Sequence, residues 1–437
     1  MLSYYLRLAL LSIKRNPILS TLMVAAIAVG IGASMTTITV NYAMGSDPVP
    51  HKSDELFAVQ VDSWDPNNPF REPNIAPDQM TYMDAMALMK SAPAKRQTAM
   101  TKTFAVIEPE DRDVRPFETT GRATYGDFFQ MFEPPFLYGN GWSRESDDNL
   151  EMVTVLSRET NEKLFGGDNS VGKFVRIGGR NYKVVGVLDH YRPVPKYYDV
   201  TNGPFRDPED YYIPFNLVAA FELSRAGNTN CWKPNNEEGF QGFLNSECVW
   251  IQFWAELPTK SEQEDYLAFL NNYANQQKEL GRFPRPLNNH IQSVMQWMEL
   301  QGVVDDGAQV VMWLSIMFLL VCLLNTIGLL LTKFSTKAGE IGLRRALGAS
   351  KRTLFLQHII ESAMIGVAGG CVGLFLAWGG LQGIGALFGN EVQHLVRLDV
   401  TMMFTAILLA IVSALLAGIY PTWRACNIQP AVQLKTQ

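Results

Sequence analysis

Hydrophobic and polar positions are segregated along this chain. Four stretches, from about Leu19 to Ala43, Ala308 to Thr332, Ile359 to Leu387 and Met402 to Ile419, are nearly free of charge. A helix needs roughly 20 apolar residues to cross the hydrocarbon core of a bilayer, and each stretch is about that long. Soluble core helices seldom run so far without a charge, so the pattern predicts four membrane spans. The first stretch exceeds the roughly 7–15-residue core of a secretion signal, and further spans follow it. Ahead of it, residues 1–17 read as an interfacial helix: Tyr4, Tyr5, Leu8 and Leu11 can face lipid while Arg7 and Lys14 share another face. Pro17 ends that helix and lets the chain turn into the bilayer.

The long segment between the first two spans has shorter periods. Leu56–Val61 reads as a strand, and Pro77–Met89 as a helix with Met80, Met83 and Ala87 on one face. Phe174–Ile177 and Tyr182–Val187 alternate, and Gly178-Gly179 between them signals a hairpin. Val249–Ala255 reads as another strand and Ser261–Glu279 as an amphipathic helix. Pieces rich in Pro and Asn around 63–75, 191–209 and 228–246 read as loops. The expected fold is an α-helical four-span transmembrane core with a large mixed α/β domain inserted between spans 1 and 2.

The bulk composition hides this division: of 437 residues 47% are apolar, the formal charge is −6, and the mean hydropathy is close to zero. Charge placement supplies the orientation. Arg7, Lys14 and Arg15 precede the first span; Lys333, Lys337, Arg344, Arg345, Lys351 and Arg352 surround a lone acid, Glu340, between spans 2 and 3; Arg424 and Lys435 lie in the tail. The short loop between spans 3 and 4 holds Glu391, Asp399 and only Arg397. The positive-inside rule then predicts that both termini are cytoplasmic and that residues 45–307 are external, in the periplasm. That segment is acidic, with 25 Lys and Arg against 39 Asp and Glu.

Cys231 and Cys248 share the external domain, apart from Cys322, Cys371 and Cys426. An oxidising compartment allows a disulfide between them, worth roughly 3 kcal/mol for a loop of that size; two free buried thiols are the other reading. Span 3 carries Gly366, Gly369, Gly370, Gly373, Gly379 and Gly380. The pairs Gly366/Gly370 and Gly369/Gly373 have the small-xxx-small spacing that lets helices approach closely, although glycines are also common in membrane helices for no such reason.

Catalytic chemistry is sparse. Gly167-Asp-Asn-Ser-Val-Gly172-Lys173-Phe174 approaches a phosphate-binding loop, but that motif needs Ser or Thr after the Lys and a helix to follow. Phe174 and a strand follow here. His51, His190 and His290 are scattered, without metal-ligand spacing, and no nucleophile-elbow pattern supports a tethered hydrolase. No catalytic, metal or cofactor site is expected in this chain. Asn325 is the clearest polar residue in span 2, read as an interhelical hydrogen-bonding group ahead of a cargo contact.

The cytoplasmic loop is more informative. In Lys337–Ser350, Leu343, Ala346 and Leu347 fall on one helical face, Glu340 and Arg344 can pair at i, i+4, and Gly348 can cap the helix end. A lipid-surface helix obeying the positive-inside rule would look similar. The run GEIGLRRALGASKRTLFLQHIIESAMIGVAGGCVGL, residues 339–374, resembles the signature joining spans 2 and 3 in FtsX-type ABC permeases, with Glu361-Ser362 and Gly369-Gly370 matching its Glu-Ser and Gly-Gly pairs. YPTWRACNIQPAVQLK from Tyr420 resembles the family's closing pattern, and KRNPILSTLMVAAIAVGIGA its entry into the first span. Residues 156–188 and the Phe128-Phe129 region are similar to the periplasmic core domain of MacB-type permeases.

The resemblance implies a permease that works as a dimer, homo- or heteromeric, with a cytoplasmic ABC ATPase that supplies ATP hydrolysis. A periplasmic adaptor and an outer-membrane duct are further implied partners. MacB itself carries a fused N-terminal ATPase, and the roughly 18 residues before the first span leave no room for one, so the ATPase is expected in trans. By this resemblance Glu340, Ile341, Gly342, Leu343, Arg344, Arg345, Ala346, Leu347 and Gly348 form the ATPase-coupling segment. The implied organisation is an interfacial helix (1–17), span 1 (18–44), a periplasmic MacB-like core (45–307), span 2 (308–332), the coupling loop (333–354), span 3 (355–388), a short periplasmic loop (389–400), span 4 (401–423) and a cytoplasmic tail (424–437). The implied function is mechanical coupling of ATP hydrolysis to efflux of a peptide, antibiotic or similar compound across the cell envelope. The alternatives are a lipoprotein-releasing or cell-wall-hydrolase-activating relative with the same membrane core, and a membrane-tethered enzyme.

Overall fold

The computed structural model describes residues 2–109, 114–234, 237–303, 306–388 and 400–427. The expected loop with Glu391, Arg397 and Asp399, and the tail from residue 428, lie outside the described residues. The chain divides into a unit of residues Met1–Gly45 with Val304–Gln437, and a second unit, Ser46–Val303.

The first unit is helical. An entry helix, Leu2–Arg15, is followed by span 1 (Pro17–Gly45), span 2 (Asp306–Thr336), a short helix Ala338–Ala346, span 3 (Lys351–Phe388) and span 4 (Val400–Cys426). Pro17 opens span 1 at the first helical position, where its missing N–H costs nothing. Each span contains a window of mean hydropathy between 1.9 and 2.5, enough in length and composition to cross a membrane. The interior is built on a stripe of Met23, Ile27, Ile31 and Met35 from span 1 and on Ala406, Ala410 and Ala414 from span 4. Spacings of four keep each set on one helix face.

Span 3 sits between these two stripes. A Cβ on Gly366 would stand 2.5 Å from the Ala414 Cβ, and one on Gly370 2.8 Å from the Ala410 Cβ. On another face, a Cβ on Gly369 would reach 2.7 Å from Ile27 Cγ2, and one on Gly373 3.0 Å from the Ala28 carbonyl oxygen. The two glycine pairs thus serve different neighbours, span 4 and span 1. Asn325 lies on the exposed face of span 2; within this chain it forms no interhelical hydrogen bond among the described residues, contrary to the expectation.

Among the described residues the second unit holds twelve strands: β1 (Leu56–Gln60), β2 (Arg96–Glu108), β3 (Phe117–Thr124), β4 (Phe136–Gly139), β5 (Val153–Leu156), β6 (Phe174–Ile177), β7 (Arg180–Leu188), β8 (Tyr211–Pro214), β9 (Asn230–Cys231), β10 (Cys248–Val249), β11 (Gln252–Glu256) and β12 (His290–Ser293). Ten form one sheet in the order β12-β1-β11-β2-β3-β8-β5-β7-β4, with β6 bridging β2 and β7. Six of them therefore close a ring of pairings, β2-β3-β8-β5-β7-β6 and back to β2. This closure, made by Ile107 with Ile177 and Glu108 with Arg176, shortens the free edge that those strands present.

Both faces of this sheet are buried, and strand alternation sorts them. Phe57 and Val59 of β1, with Phe253 and Ala255 of β11, enter one core; Leu56 and Ala58, with Trp254, enter the other. The predicted hairpin forms with Ile177 opposite Arg180, and Gly178 and Gly179 take φ of 55° and 78°, the left-handed pair that a two-residue turn requires. The phosphate-loop lookalike is a pair of glycine turns, Gly167 and Gly172 both at positive φ, that leads into β6.

Three local expectations change. The first helix starts at Tyr82, because Thr81 caps it by accepting from the Asp84 N–H while Met80 bridges to Ile251 as extended chain. The strand expected at Val249–Ala255 is broken between β10 and β11. The segments read as loops at 191–209 and 228–246 contain a 3-10 turn (Tyr197–Asn202), β9 and a helix (Gly239–Leu244). The amphipathic helix runs Lys260–Glu279, with Thr259 and Glu262 in a capping box. β9 and β10 place Cys231 opposite Cys248, and the two sulfurs are bonded at 2.01 Å.

Candidate functional site

The short helix Ala338–Ala346 is held at its end by its glycine. Gly348 has φ of 99°, its N–H donates to the Arg345 carbonyl at 3.1 Å, and the Ala349 N–H donates to the Arg344 carbonyl at 3.0 Å. Those two bonds make a Schellman motif, which fixes where the chain turns back towards span 3. Arg344 reaches back one turn to Glu340 at 2.7 Å and across to Gln357 on span 3 at 3.2 Å. Arg345 donates to the Cys426 carbonyl at the end of span 4.

The helix has two unlike faces. Ile341 and Gly342 are buried, and Ile341 joins the core of the membrane unit. Leu343, Ala346 and Leu347 are exposed, Leu347 by 80% of its surface. Two leucines held out on the polar end of a membrane unit form an apolar contact surface.

Beneath this helix lies a buried ionic network. Glu361 of span 3, 1% exposed, pairs with Lys333 of span 2 at 2.7 Å and lies 3.8 Å from Lys337. Ser12 of the entry helix donates to Glu361 and accepts from Lys337. Lys333 also donates to Ser20 of span 1 at 3.2 Å. One carboxylate thus ties together the entry helix, spans 1, 2 and 3, and the root of the short helix. Burial pulls the Lys337 ammonium below its usual value, against the opposing pull of Glu361. Buried charges are tolerated only when paired, so each partner fixes the position of the next.

The sequence reading singled out residues 340–348 and the glycine pairs but missed this network. Glu361 appeared there only as part of a family motif, and Lys333 only as an orienting charge. The available signal was that an ionisable residue in an apolar span needs a partner. The network and the Arg344–Gln357 bond tie the segment directly to spans 2 and 3.

The Ser46–Val303 unit has a comparable knot. Arg122 on β3, fully buried, pairs with Asp199 and Glu209, and Lys196 reaches Glu209 at 3.1 Å. Burial alone would raise the Glu209 carboxyl, but the adjacent Arg122 and Lys196 charges hold it well below the usual carboxylate range. Lys196, Asp199 and Glu209 all come from the segment that composition marked as a loop. Among the described residues, no group of three or more His, Cys, Asp or Glu could hold a metal ion.

Four apolar helices with a mixed α/β domain inserted in sequence after the first define a multi-pass membrane protein. The model of the MacB-like periplasmic core domain matches residues 20–240, and that of the FtsX-like permease C-terminal region matches residues 312–430. The chain belongs to the MacB-like ABC permease family. It is 22% identical over 70% of its length to the macrolide export ATP-binding/permease protein MacB of Bdellovibrio bacteriovorus, covering 42% of that protein. It is 21% identical over 99% of its length to the MacB of Azoarcus sp., covering 59% of that protein. The chain therefore spans about half the length of these relatives. Among solved structures, the periplasmic region of MacB from Actinobacillus actinomycetemcomitans is similar at 14% identity with a TM-score of 0.36, over 58% of this chain and 94% of that one.

Proposed function

We propose that this chain is the permease subunit of an ABC-type export system and transmits ATP-driven motion from a separate cytoplasmic ATPase to its outer domain. On this reading both termini and the short helix Ala338–Ala346 face the cytoplasm, and Ser46–Val303 faces the periplasm. A second permease copy or paralogue completes the dimer, and a periplasmic adaptor and outer-membrane duct carry the exported compound onward. The cargo class is a peptide, antibiotic or similar compound.

The observation that carries the reading is the exposed Leu343–Ala346–Leu347 face on a helix bracketed to the spans by Arg344, Arg345 and the Glu361 network. A partner that grips this face moves the membrane helices. The test is Leu347→Asp in the full chain, co-expressed with a candidate ABC ATPase subunit from the same genome. The expected result is loss of ATPase co-purification by about tenfold or more, the scale for a charge placed in a small apolar contact, with membrane insertion unchanged. Full ATPase recovery with normal export would place the dock elsewhere.

A further inference from the structure

A cavity of about 210 Å³ opens between the entry helix, the short helix and span 3. Its rim carries Arg15, Lys337 and Arg344, and its apolar wall is Leu8 and Leu11. Within the ionic cluster around it, four cations, Arg15, Lys333, Lys337 and Arg344, meet only two carboxylates, Glu340 and Glu361. The pairings leave two positive charges in excess. Arg15 reaches Glu340 only at 3.6 Å, with 76% of its side chain exposed.

The cavity floor is polar and incompletely satisfied. Glu361 Oε2 and His358 Nδ1 both line it and are buried, and they face each other in a loose contact of 3.4 Å. A carboxylate oxygen has two lone pairs, so this loose contact leaves Oε2 able to accept a further hydrogen bond from a polar ligand in the cavity. The volume is below the roughly 300–1,000 Å³ of a pocket for a drug-sized molecule. It suits a headgroup whose chains stay outside, and Leu11, 56% exposed beside the rim, offers them an apolar surface.

We propose that this cavity binds the headgroup of an anionic phospholipid. The phosphodiester meets Arg15, Lys337 and Arg344, and a headgroup hydroxyl donates to Glu361 Oε2. The chemistry is that of a phosphate with an adjacent hydroxyl, and its source is the bilayer. The placement rests on the reading that this end of the unit lies at the cytoplasmic surface, where anionic lipids attract basic side chains. A bound lipid would complete the bracket beneath the coupling helix and make coupling depend on membrane composition.

The experiment is native mass spectrometry of the full chain in mild detergent, without ATPase, titrated with phosphatidylglycerol, phosphatidylcholine or inorganic phosphate. Phosphatidylglycerol is expected to be retained about tenfold better than phosphatidylcholine, and Arg15→Gln to lower that retention about tenfold, the scale of one charge-assisted hydrogen bond. Arg15 is exposed, so its replacement leaves the fold intact; Lys337→Gln should act in the same direction, and Lys52→Gln in the outer unit should change nothing. Equal retention of both lipids, or phosphatidylglycerol retained in full by Arg15→Gln, would overturn the proposal. Inorganic phosphate displacing the lipid at millimolar concentration would assign the site to a free anion and overturn the bilayer as its source. Because no ATPase is present, these outcomes stand apart from the Leu347→Asp test of coupling.

Discussion

Replacing Glu361 by glutamine keeps the side chain's size and one oxygen to accept from Ser12 and Lys333, removes the charge and turns the other oxygen into an NH2 donor. At 2.7 Å from the Lys333 ammonium, the attraction lost is about 6 kcal/mol at an effective dielectric of about 20. Desolvation of both ions offsets part of it. The net cost of leaving one member of a buried pair uncompensated is about 3–5 kcal/mol. Lys333 is fully buried and can recover only by losing its proton or by shifting towards the Ser20 hydroxyl. For a unit of this size each kcal/mol moves the melting temperature by roughly 2–4 °C, so a fall of roughly 10 °C is expected for the detergent-solubilised protein. The double variant Lys333→Gln, Glu361→Gln removes both charges and should regain most of the loss, because well-placed neutral groups often replace a buried pair at little cost. Thermal unfolding followed by loss of the monodisperse gel-filtration peak measures all three. A single variant within 2 °C or so of the parent, or a double variant as unstable as the single, would show that the network does not hold these helices.

Gly369→Leu should weaken the membrane unit by about 1–3 kcal/mol, the overpacking range, because its side chain meets Ile27 on span 1; Gly379→Leu, which meets nothing within 4 Å, serves as the control in the same melt. Asp147, buried and accepting from the Gly126 N–H and the Trp142 indole, is pushed up by burial to about 7. Its folded form binds the proton more tightly than the unfolded chain does, so its contribution to stability is full at low pH and is lost as pH rises to about 7. Asp147→Asn should flatten the fall in stability of the Ser46–Val303 unit between about pH 4 and 7, read by urea unfolding at several pH values. Reducing Cys231–Cys248, which closes a separation of 17 residues, should lower the stability of that unit by about 3 kcal/mol, seen as an earlier urea midpoint with dithiothreitol.

Much of this architecture could be read from the order of residues alone. A span must be apolar over its whole length, so the four spans show in any window of the right size. The basic entry and loop residues, the Gly178-Gly179 turn and the exposed Leu343 and Leu347 depend on neighbours within a few positions. Local causes of this kind leave local marks.

What stayed hidden depends on partners far apart in the chain. Glu361 acquires its meaning from Lys333, 28 residues earlier, and Ser12, 349 residues away; no window contains all three. Composition assigned 191–209 to a loop because Pro and Asn disfavour regular elements. Yet Lys196, Asp199 and Glu209 are buried there, since Arg122 on β3 supplies the countercharge that makes their burial tolerable. The closed ring of β2, β3, β8, β5, β7 and β6 likewise follows from β6 meeting β2 across more than sixty residues. Which segments are apolar, which way charge is biased and where the chain turns can all be read along the chain, because each is a property of neighbours. Which glycine faces which span, which buried charge has a partner and which polar atoms line a cavity are settled by folding, because each depends on distances between residues far apart in the chain.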